Sequence, residues 1–329
     1  MMVPHLFGTR WNYYRRIFGA YLTRQTSQLT FWHDVPAVNE FTAGELGAYY
    51  MPFLGKADYT GHFDPAGIPL LDYLGAIGKQ YNPIAISQYA LGHFNAYFNS
   101  GDTARRRKFL LVADWLVNNL EQNQRGLFVW MHHFDFEYRT TLRAPWYSGL
   151  AQGQGLSVLV RAWRETQDAR YLEAAHQAFA PMLVDVSMGG VHFTDSGGNR
   201  WIEEYIVDPP THIINGFIWA LWGVYDFWLA TGDAEAGKLF RDCTGTLLSK
   251  LATYDTGYWS LYEQSGTRLK MLASPFYHRL HIAQLRIMHL LTGEALFQQT
   301  ADRWEAYTGN RANRSRALIY KSIFKLCYY

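Results

Sequence analysis

The chain has 329 residues, of which 49% are hydrophobic and 18% are charged, so it is not disordered and can build a sizeable core. A formal net charge of +2 is too small to indicate nucleic-acid binding, and two cysteines exclude both a disulfide framework and a four-cysteine zinc site. No window approaches 18 consecutive apolar residues, so we expect no membrane span.

Aromatic residues make up an unusually large part of the chain. They account for 17% of it, as 12 Trp, 23 Tyr and 20 Phe. So many rings exceed the needs of an ordinary core, and they suit a cleft that stacks on flat or sugar-like ligands.

Residues 1–80 form the first predicted segment, an N-terminal arm that does not repeat. This arm is rich in Tyr, Phe, Gly and Pro and contains two candidate strands, LTFWHDV and AYYMPFL. We expect an extended or β-hairpin arm, which in many proteins contributes a dimer contact. The first residues also lack the apolar core of a signal peptide, so the expected location is the cytoplasm.

Residues 81–309 contain four copies of one plan: an apolar helix, a short turn, and an amphipathic helix. The turns lie at positions 61–66 residues apart, which are Gly101, Gln167, Gly232 and Gly293. Glycine after a helix can adopt the left-handed conformation of a C-cap, and the acidic residue that follows favours the start of the next helix.

This repeat predicts a mainly α fold, an (α/α) barrel or incomplete toroid of helical hairpins. The first helix of each pair is apolar on nearly all sides and should be buried, whereas the second should be half exposed. The period is long for a common helical solenoid, which favours the barrel over an open solenoid. Four inner helices should contain Gln88, Gln154, Trp219 and Gln284, and the long Gly/Pro-rich connections should gather at one end.

Residues 310–329 form a basic C-terminal tail with five basic residues and no acidic ones. We interpret it as a mobile or core-docked extension, with a polyanion contact as the alternative.

The candidate site residues are polar side chains at positions where the sequence pattern predicts either burial or a location at the mouth of the barrel. Two carboxylates, Glu203 and Glu204, precede Tyr205 in one long connection, and Tyr262 and Tyr277 lie in another. Buried amides and histidines need partners, which could be protein groups or substrate hydroxyls. The candidate substrate-binding residues are Tyr81, Gln88, Tyr147, Gln152, Gln154, Arg161, Asn215, Arg268, His278 and His281.

No metal or cofactor site is expected. The sequence has no HExxH, EF-hand, GxSxG, Walker or dinucleotide motif. His132 and His133 with Asp135 are a poor chelate, because adjacent residues on a strand point to opposite faces.

Several stretches resemble the D-glucuronyl C5-epimerases of heparan sulfate and heparosan synthesis. They are YNPIAISQYALGHF, WYSGLAQGQGLSVLVRAW, EEYIVDPPTHIINGFIWALWGVYD, YHRLHIAQL and RWEAYTGNRA. The similarity spans roughly residues 70–312. It implies an α/α barrel, a homodimer, and an isomerase that converts D-glucuronate to L-iduronate within an anionic polysaccharide.

The resemblance also assigns roles to individual residues. Glu204 and Tyr205 match the catalytic Glu-Tyr of the family, and Tyr277 matches the tyrosine before its His-x-x-His. Tyr262 matches a further active-site tyrosine, and Tyr81 the tyrosine before the first inner helix.

The sequence departs from the family at one position. Ser265 stands where the family has an arginine, three residues after the Tyr262 equivalent, and Arg268 lies nearby. The group that neutralises the substrate carboxylate is therefore open among Arg161, Arg268, His278 and His281.

Inversion at C5 requires a group on each side of the sugar ring, one to remove a proton and one to return it. Glu204, with Tyr205, could serve one face, and Tyr277, with Tyr262, the other.

Two alternative functions remain at this point. One is a polysaccharide lyase or a glycoside hydrolase, since both use α/α barrels, and the other is a carbohydrate-binding protein without activity.

Overall fold

The computed structural model describes residue 31 and residues 34–328. Within this range the chain is mainly helical. The helices are α1 (Leu54–Ala57), α2 (Pro83–Ser100), α3 (Thr103–Asn118), α4 (Gly149–Thr166), α5 (Ala169–Leu183), α6 (Ile214–Thr231), α7 (Ala234–Lys250), α8 (Pro275–Thr292), α9 (Ala295–Gly309) and α10 (Arg311–Tyr328).

Eight of these helices pair into four hairpins, α2 with α3, α4 with α5, α6 with α7, and α8 with α9. Neighbouring hairpins contact one another through α2, α4, α6 and α8, which form the inner layer, while their partners lie outside. The short α1 packs on α2. The fold is therefore the predicted incomplete (α/α) barrel. The four inner helices carry the expected residues Gln88, Gln154, Trp219 and Gln284.

The predicted turns end the inner helices. Their φ angles are positive, 72° at Gly101, 59° at Gln167, 69° at Gly232 and 75° at Gly293. Gln167, which lacks the freedom of glycine, donates its side-chain amide to the carbonyl of Arg164 at 3.1 Å. The following Asp102, Asp168 and Asp233 cap the next helices by accepting backbone N–H groups.

Short antiparallel strands fill the long connections. They are β1 (His62–Phe63), β2 (Pro69–Asp72), β3 (Lys79–Gln80), β4 (Glu121–Gln122), β5 (Phe128–Val129), β6 (Met131–His132), β7 (Phe136–Glu137), β8 (Thr141–Leu142), β9 (Trp146–Tyr147), β10 (His192–Thr194) and β11 (Arg200–Ile202). Each group precedes an inner helix: β1–β3 precede α2, β4–β9 precede α4, and β10–β11 precede α6. The connections thus meet at the N-terminal end of the inner layer.

The strand predicted at AYYMPFL (48–54) is wrong. Residues 48–53 are mostly buried but irregular, because the side chain of Asn95 takes the place of a neighbouring strand, and Leu54 is the first residue of α1. Asn95 Oδ1 accepts the N–H of Tyr49 at 2.6 Å, and its Nδ2 donates to the carbonyl of Met51 at 2.8 Å. The other candidate strand, LTFWHDV, lies mostly outside the described residues.

The basic tail forms α10, which packs on the barrel. Ala317, Leu318 and Phe324 are buried. Lys321 Nζ donates to the backbone carbonyl of Leu272 at 2.6 Å.

A buried ion pair ties the segment before α1 to the inner layer. Arg161 of α4 and Asp226 of α6 are both fully buried, with Nη1 and Oδ2 2.6 Å apart. Tyr50 donates its hydroxyl to Asp226 at 2.6 Å, and Arg161 Nε donates to the carbonyl of Gly47 at 3.0 Å. Each charge has several partners, as a buried ion pair requires.

Glycine lets α4 and α6 approach at backbone distance. A Cβ on Gly153 would lie 2.7 Å from the backbone oxygen of Ala220, and one on Gly223 would overlap the backbone of Gly153. The obstacle in both cases is main chain, which a rotamer change cannot move. This crossing therefore fixes how the N-termini of α4 and α6 sit relative to one another.

We expect Gly153→Ala to destabilise the fold by about 1–3 kcal/mol, as overpacking typically does. Gly245→Ala is the matched control, because Gly245 lies inside α7 with open space around its Cβ position. There the same change should stabilise the helix by about 0.5–1 kcal/mol. Denaturant unfolding of both variants measures the difference. Equal stabilities would show that α4 and α6 are not tightly packed at this crossing.

Candidate active site

A cavity of about 660 Å³ opens at the end of the barrel where the long connections meet. It is lined by first-turn residues of the inner helices, such as Leu150, Asn215 and Tyr277, and by side chains from the connections. Its aromatic lining residues are Phe31, Tyr59, Tyr73, Phe134, Phe136, Trp146, Tyr205, Trp219, Phe276 and Tyr277. The cavity therefore offers many ring faces to a ligand.

Glu204 lies in the wall of this cavity, just after β11. Its carboxylate rests against Gly216 in the first turn of α6, where any side chain larger than hydrogen would overlap it. Glu204 is buried, and its Oε2 has no hydrogen-bond partner among the described residues. Burial, supported by the nearby charges of Glu263 and Glu203, raises the pKa of Glu204 to about 8.

The adjacent Glu203 serves a different purpose. Its Oε2 accepts the backbone N–H of His212 at 3.1 Å, and its Oε1 bonds to Nδ1 of the same histidine. The ring of His212 stacks on Trp201 with centroids 4.2 Å apart. Glu203 therefore holds the loop before α6, while Glu204 faces the cavity.

Tyrosines surround Glu204. The rings of Tyr262 and Tyr277 contact each other edge-on with centroids 4.9 Å apart, and Tyr205 packs in the same cluster. Burial, followed by the charge of Glu204, raises the pKa of each of these three hydroxyls. They are therefore protonated near neutral pH and able to donate a proton.

The tyrosine cluster continues into a second, outer group. Tyr138 lies 4.7 Å from Tyr205, measured between ring centroids, and donates its hydroxyl to Glu263. Glu263 is fully buried, and Arg139 lies 3.6 Å from its Oε1. Tyr138 thus engages one oxygen of this carboxylate, while Oε1 has no hydrogen-bond partner among the described residues.

Comparison with known sequences assigns the chain that carries this site to a protein family. The family described as "D-glucuronyl C5-epimerase C-terminus" matches residues 122–306, which include Glu204, Tyr205, Tyr262 and Tyr277. The chain belongs to the D-glucuronyl C5-epimerase family.

Two similar proteins differ in how much of their length is matched. The chain is 33% identical over 224 residues to the D-glucuronyl C5-epimerase of Caenorhabditis elegans, an alignment that covers 63% of this chain and 36% of that protein. It is 28% identical over 244 residues to an uncharacterised protein of Methanocaldococcus jannaschii, covering 69% of this chain and 78% of the archaeal one. The chain therefore spans about a third of the animal enzyme.

Among solved structures, a glycoside hydrolase family 76 mannosidase from Bacteroides thetaiotaomicron is similar, with a TM-score of 0.47 and 12% identity. The match covers 72% of this chain and 60% of the mannosidase.

The candidate catalytic and substrate-binding residues predicted from the sequence fall into two groups. The structure brings Glu204, Tyr205, Tyr262 and Tyr277 together. The cavity is lined by Glu204, Tyr205, Asn215 and Tyr277, and Tyr262 contacts Tyr277 without lining the cavity itself. The remaining candidates do not line it.

Gln152 and Arg161 bond within the barrel, whereas the buried side-chain amide of Gln154 has no hydrogen-bond partner among the described residues. Gln152 accepts the N–H of Trp130 at 2.9 Å and donates to the carbonyl of Ala178 at 3.0 Å, which joins a strand and an outer helix to α4. Gln154 is fully buried inside the inner layer, and Arg161 is paired with Asp226.

His278 and His281 form a buried group with Ser260. The Ser260 hydroxyl lies 2.7 Å from Nδ1 of His278 and 3.0 Å from Nδ1 of His281. His278 also stacks on Trp259 with centroids 4.0 Å apart. These contacts position the start of α8, next to Tyr277.

Three further candidates lie outside the cavity. Tyr81 is 40% exposed and donates its hydroxyl to Asp64 at 2.8 Å. Tyr147 donates to the carbonyl of Gly189 at 2.9 Å. Arg268 is exposed on the connection before α8.

Sequence reasoning missed several cavity residues. Asn82 and Tyr73 line the cavity and bond to each other at 2.6 Å, and Lys56 lines it from α1. Asn82 is the N-cap of α2, a signal that the Asn-Pro pair carries in the sequence. Lys56 lies in the non-repeating segment, where no pattern distinguishes it from a surface lysine.

Two features are absent from the part of the chain that the structure describes. No three His, Cys, Asp or Glu side chains there are grouped as a metal site would require. None of the helices in the same range is both long and apolar enough to cross a membrane.

The raised pKa of Glu204 predicts a pH-dependent stability. Between its unfolded value of 4.5 and about 8, the folded state retains a proton that the unfolded state releases, so stability falls as the pH rises through that window. Glu204→Gln abolishes this titration. Its melting temperature relative to the wild type should therefore increase from about pH 5 to about pH 8.5. Glu173→Gln, on the exposed face of α5, should show no such trend. A pH-independent difference for Glu204→Gln would contradict the assigned burial.

Proposed function

We propose that the protein is a C5-epimerase that converts D-glucuronate to L-iduronate residues in a heparosan-like polysaccharide. The observation that carries this proposal is the buried Glu204, whose Oε2 is unpartnered among the described residues, in one cavity wall with Tyr205 and Tyr277. Membership of the epimerase family supports the reaction class.

The two groups suit the two halves of the reaction. Glu204 accepts the C5 proton, and the electron pair moves into a C5=C6 bond, so that negative charge develops on the carboxylate oxygens. Tyr277 then donates its hydroxyl proton to the opposite face of C5, and the configuration is inverted. Afterwards Glu204 is protonated and Tyr277 is a phenolate, and proton exchange with water restores both.

The electrostatics of the cavity favour these roles. The ionised form of Glu204, whose pKa is about 8, is a stronger base than an exposed glutamate, and the fraction of this form grows as the pH rises towards 8. The raised pKa of Tyr277 keeps its hydroxyl protonated until a carbanion is present. In the reverse direction the two groups exchange roles.

The cavity walls suit a polysaccharide chain. Phe134, Phe136 and Trp146 offer ring faces on which sugar rings can stack. We expect one such cavity in each subunit of a homodimer, an assembly that the family resemblance implies.

The alternative reactions make different demands on the cavity. A glycoside hydrolase needs two carboxylates that flank the bond to be cleaved. Of the adjacent pair, Glu203 is bonded to His212, so Glu203 and Glu204 do not form such a pair. A lyase would share the first deprotonation but would then expel the C4 substituent.

Incubation with heparosan in heavy water tests the proposal. An epimerase incorporates deuterium at C5 and forms iduronate without shortening the polymer, and both are measured by NMR. An unsaturated uronate, detected by its ultraviolet absorbance, would identify a lyase instead, and absence of exchange would reject both enzymes.

Tyr277→Phe should lower epimerisation about 10²–10⁴-fold, as the loss of a general acid or base does. Its melting temperature should change little, because the ring and its packing on Tyr262 remain. Glu204→Gln should cause a comparable loss. If each residue serves one face, either variant could still exchange the C5 hydrogen of one epimer with solvent.

The matched control is Tyr171→Phe. Its hydroxyl bonds to Asp114 between outer helices, 2.9 Å away and outside the cavity. This variant should epimerise at the wild-type rate. Near-normal epimerisation by Tyr277→Phe would exclude that hydroxyl from the reaction.

A further inference from the structure

Glu263, the residue after Tyr262, is a buried carboxylate with few partners. Its side chain is fully buried, and Tyr138 donates its hydroxyl to Oε2. Nη1 of Arg139 lies 3.6 Å from Oε1, which has no hydrogen-bond partner among the described residues. The carboxylate of Glu263 is therefore less completely paired than a buried charge usually is.

Asp226 provides the comparison within the same barrel. Its carboxylate accepts hydrogen bonds from Arg161 at 2.6 and 3.2 Å and from Tyr50 at 2.6 Å. Such partners offset the cost of removing a charge from water. Glu263 lacks an equivalent set among the residues that the structure describes, and an apolar side chain would avoid the cost altogether. Stability alone therefore does not explain a glutamate at position 263.

Glu263 and Arg139 connect the tip of the β7–β8 hairpin to the segment before α8. Tyr138 and Arg139 lie between β7 and β8, whereas Glu263 and Ser265 lie in that segment. Tyr138 bonds to Glu263, and Nη1 of Arg139 donates to the backbone carbonyl of Ser265 at 3.2 Å. Two adjacent hairpin residues thus hold the tip against the residues that follow Tyr262.

Tyr138 links Glu263 to the candidate catalytic residues. The ring of Tyr138 packs on that of Tyr205, with centroids 4.7 Å apart. Both tyrosines pack against the aromatic group around Phe134, which lines the cavity, and also against the group that contains Tyr277. Holding Tyr138 in place therefore holds Tyr205 between these two groups.

We propose that Glu263 is a positioning residue of the active site, which holds Tyr138 against Tyr205 and places a negative charge near Glu204. This inference rests on the proposed epimerase function and deepens it by naming the group that adjusts the base. Because Tyr205 follows Glu204 in the chain, a fixed tyrosine also restricts the adjacent carboxylate. Displacement of a reacting group by about 1 Å can cost about 100-fold in rate.

The charge of Glu263 acts on Glu204 in the same direction as burial. Burial is the largest cause of the pKa of about 8, and the charges of Glu263 and Glu203 raise the pKa further, while the Tyr205 hydroxyl opposes them. A base with a raised pKa, once ionised, removes a weakly acidic proton more readily. A carboxylate beside Glu204 therefore strengthens the base that the proposed reaction needs.

Other titratable groups reach Glu204 from the elements around it. Glu203 precedes it in the chain and is paired with His212. The tyrosines nearby are Tyr138, Tyr205, Tyr262 and Tyr277. The further titratable side chains that line the cavity are Lys56, Tyr59, His62, Asp72 and Tyr73. Glu263 and Arg139 do not line it, so their charges can be changed without altering its wall.

Glu263→Gln and Arg139→Gln test the proposal as an opposed pair. The first removes the negative charge and keeps the shape of the side chain, so the pKa of Glu204 should fall. The second removes the positive charge beside Glu263, so the pKa of Glu204 should rise. Carbon NMR of the full chain, labelled at its glutamate carboxyl carbons, follows the titration without substrate. The Glu204 signal is identified by its absence from Glu204→Gln.

The same shifts should appear in the pH dependence of C5 exchange. The rising limb of kcat/KM should move to lower pH in Glu263→Gln and to higher pH in Arg139→Gln, because the base must be ionised to act. Tyr138→Phe keeps the charge of Glu263 but loses the hydrogen bond, so kcat should fall about 10- to 100-fold without a shift to lower pH. Glu137→Gln, on the exposed face of β7, is the control and should change neither measurement.

Two results of the titration would overturn the assignment: a pKa of Glu204 that neither variant changes, or one that moves in the same direction in both. Should Glu263→Gln fail to fold, Arg139→Gln still decides, since its side chain is 27% exposed. Wild-type kcat in Tyr138→Phe would reject the positioning role. A wild type that neither exchanges nor epimerises heparosan would instead reject the proposed function, which the substrate-free titration does not depend on.

Discussion

The close approach of α4 and α6 is the constraint on which the site depends. At their crossing, Gly153 and Gly223 bring main chain against main chain. The Gly149 N–H then bonds to the carbonyl of Glu203 at 3.0 Å, and Gly216 makes room for the carboxylate of Glu204. The end of β11 is thus fixed across the first turns of two inner helices. The backbone of these elements thus positions the side chain of Glu204 in the cavity wall.

Burial in this cavity favours the uncharged form of the ionisable side chains. Burial raises the pKa of Glu204 and of the tyrosines around it, and lowers that of Lys56. The neutral forms are favoured in each case. The charge of Glu204 also raises the pKa of Tyr205, Tyr262 and Tyr277, so the ionisation of these groups is coupled through one low-dielectric cavity.

Many of the buried polar side chains in this barrel bond to a different helix, strand or loop. Gln152 and Arg161 satisfy backbone and side-chain groups of other elements, and His278 does the same through Ser260. A sequence shows that such a group falls on a buried helix face and needs a partner. It does not show whether that partner is protein or substrate, since the answer depends on which elements face it. Glu204 and the tyrosines were predicted from the family pattern, and the structure brings them together. Gln152 was predicted as a substrate ligand, and it bonds to protein groups instead.

The sequence by itself determined the barrel, because its signals are local. Helical periodicity, positive-φ turns at Gly101 or Gly232, and the aspartates that follow act over a few residues. The family pattern likewise singled out Glu204 and Tyr277. Only the tertiary structure decided which side chains share a cavity. Lys56 reaches it from a non-repeating segment because α1 packs on α2, a contact between distant parts of the chain that no local pattern records.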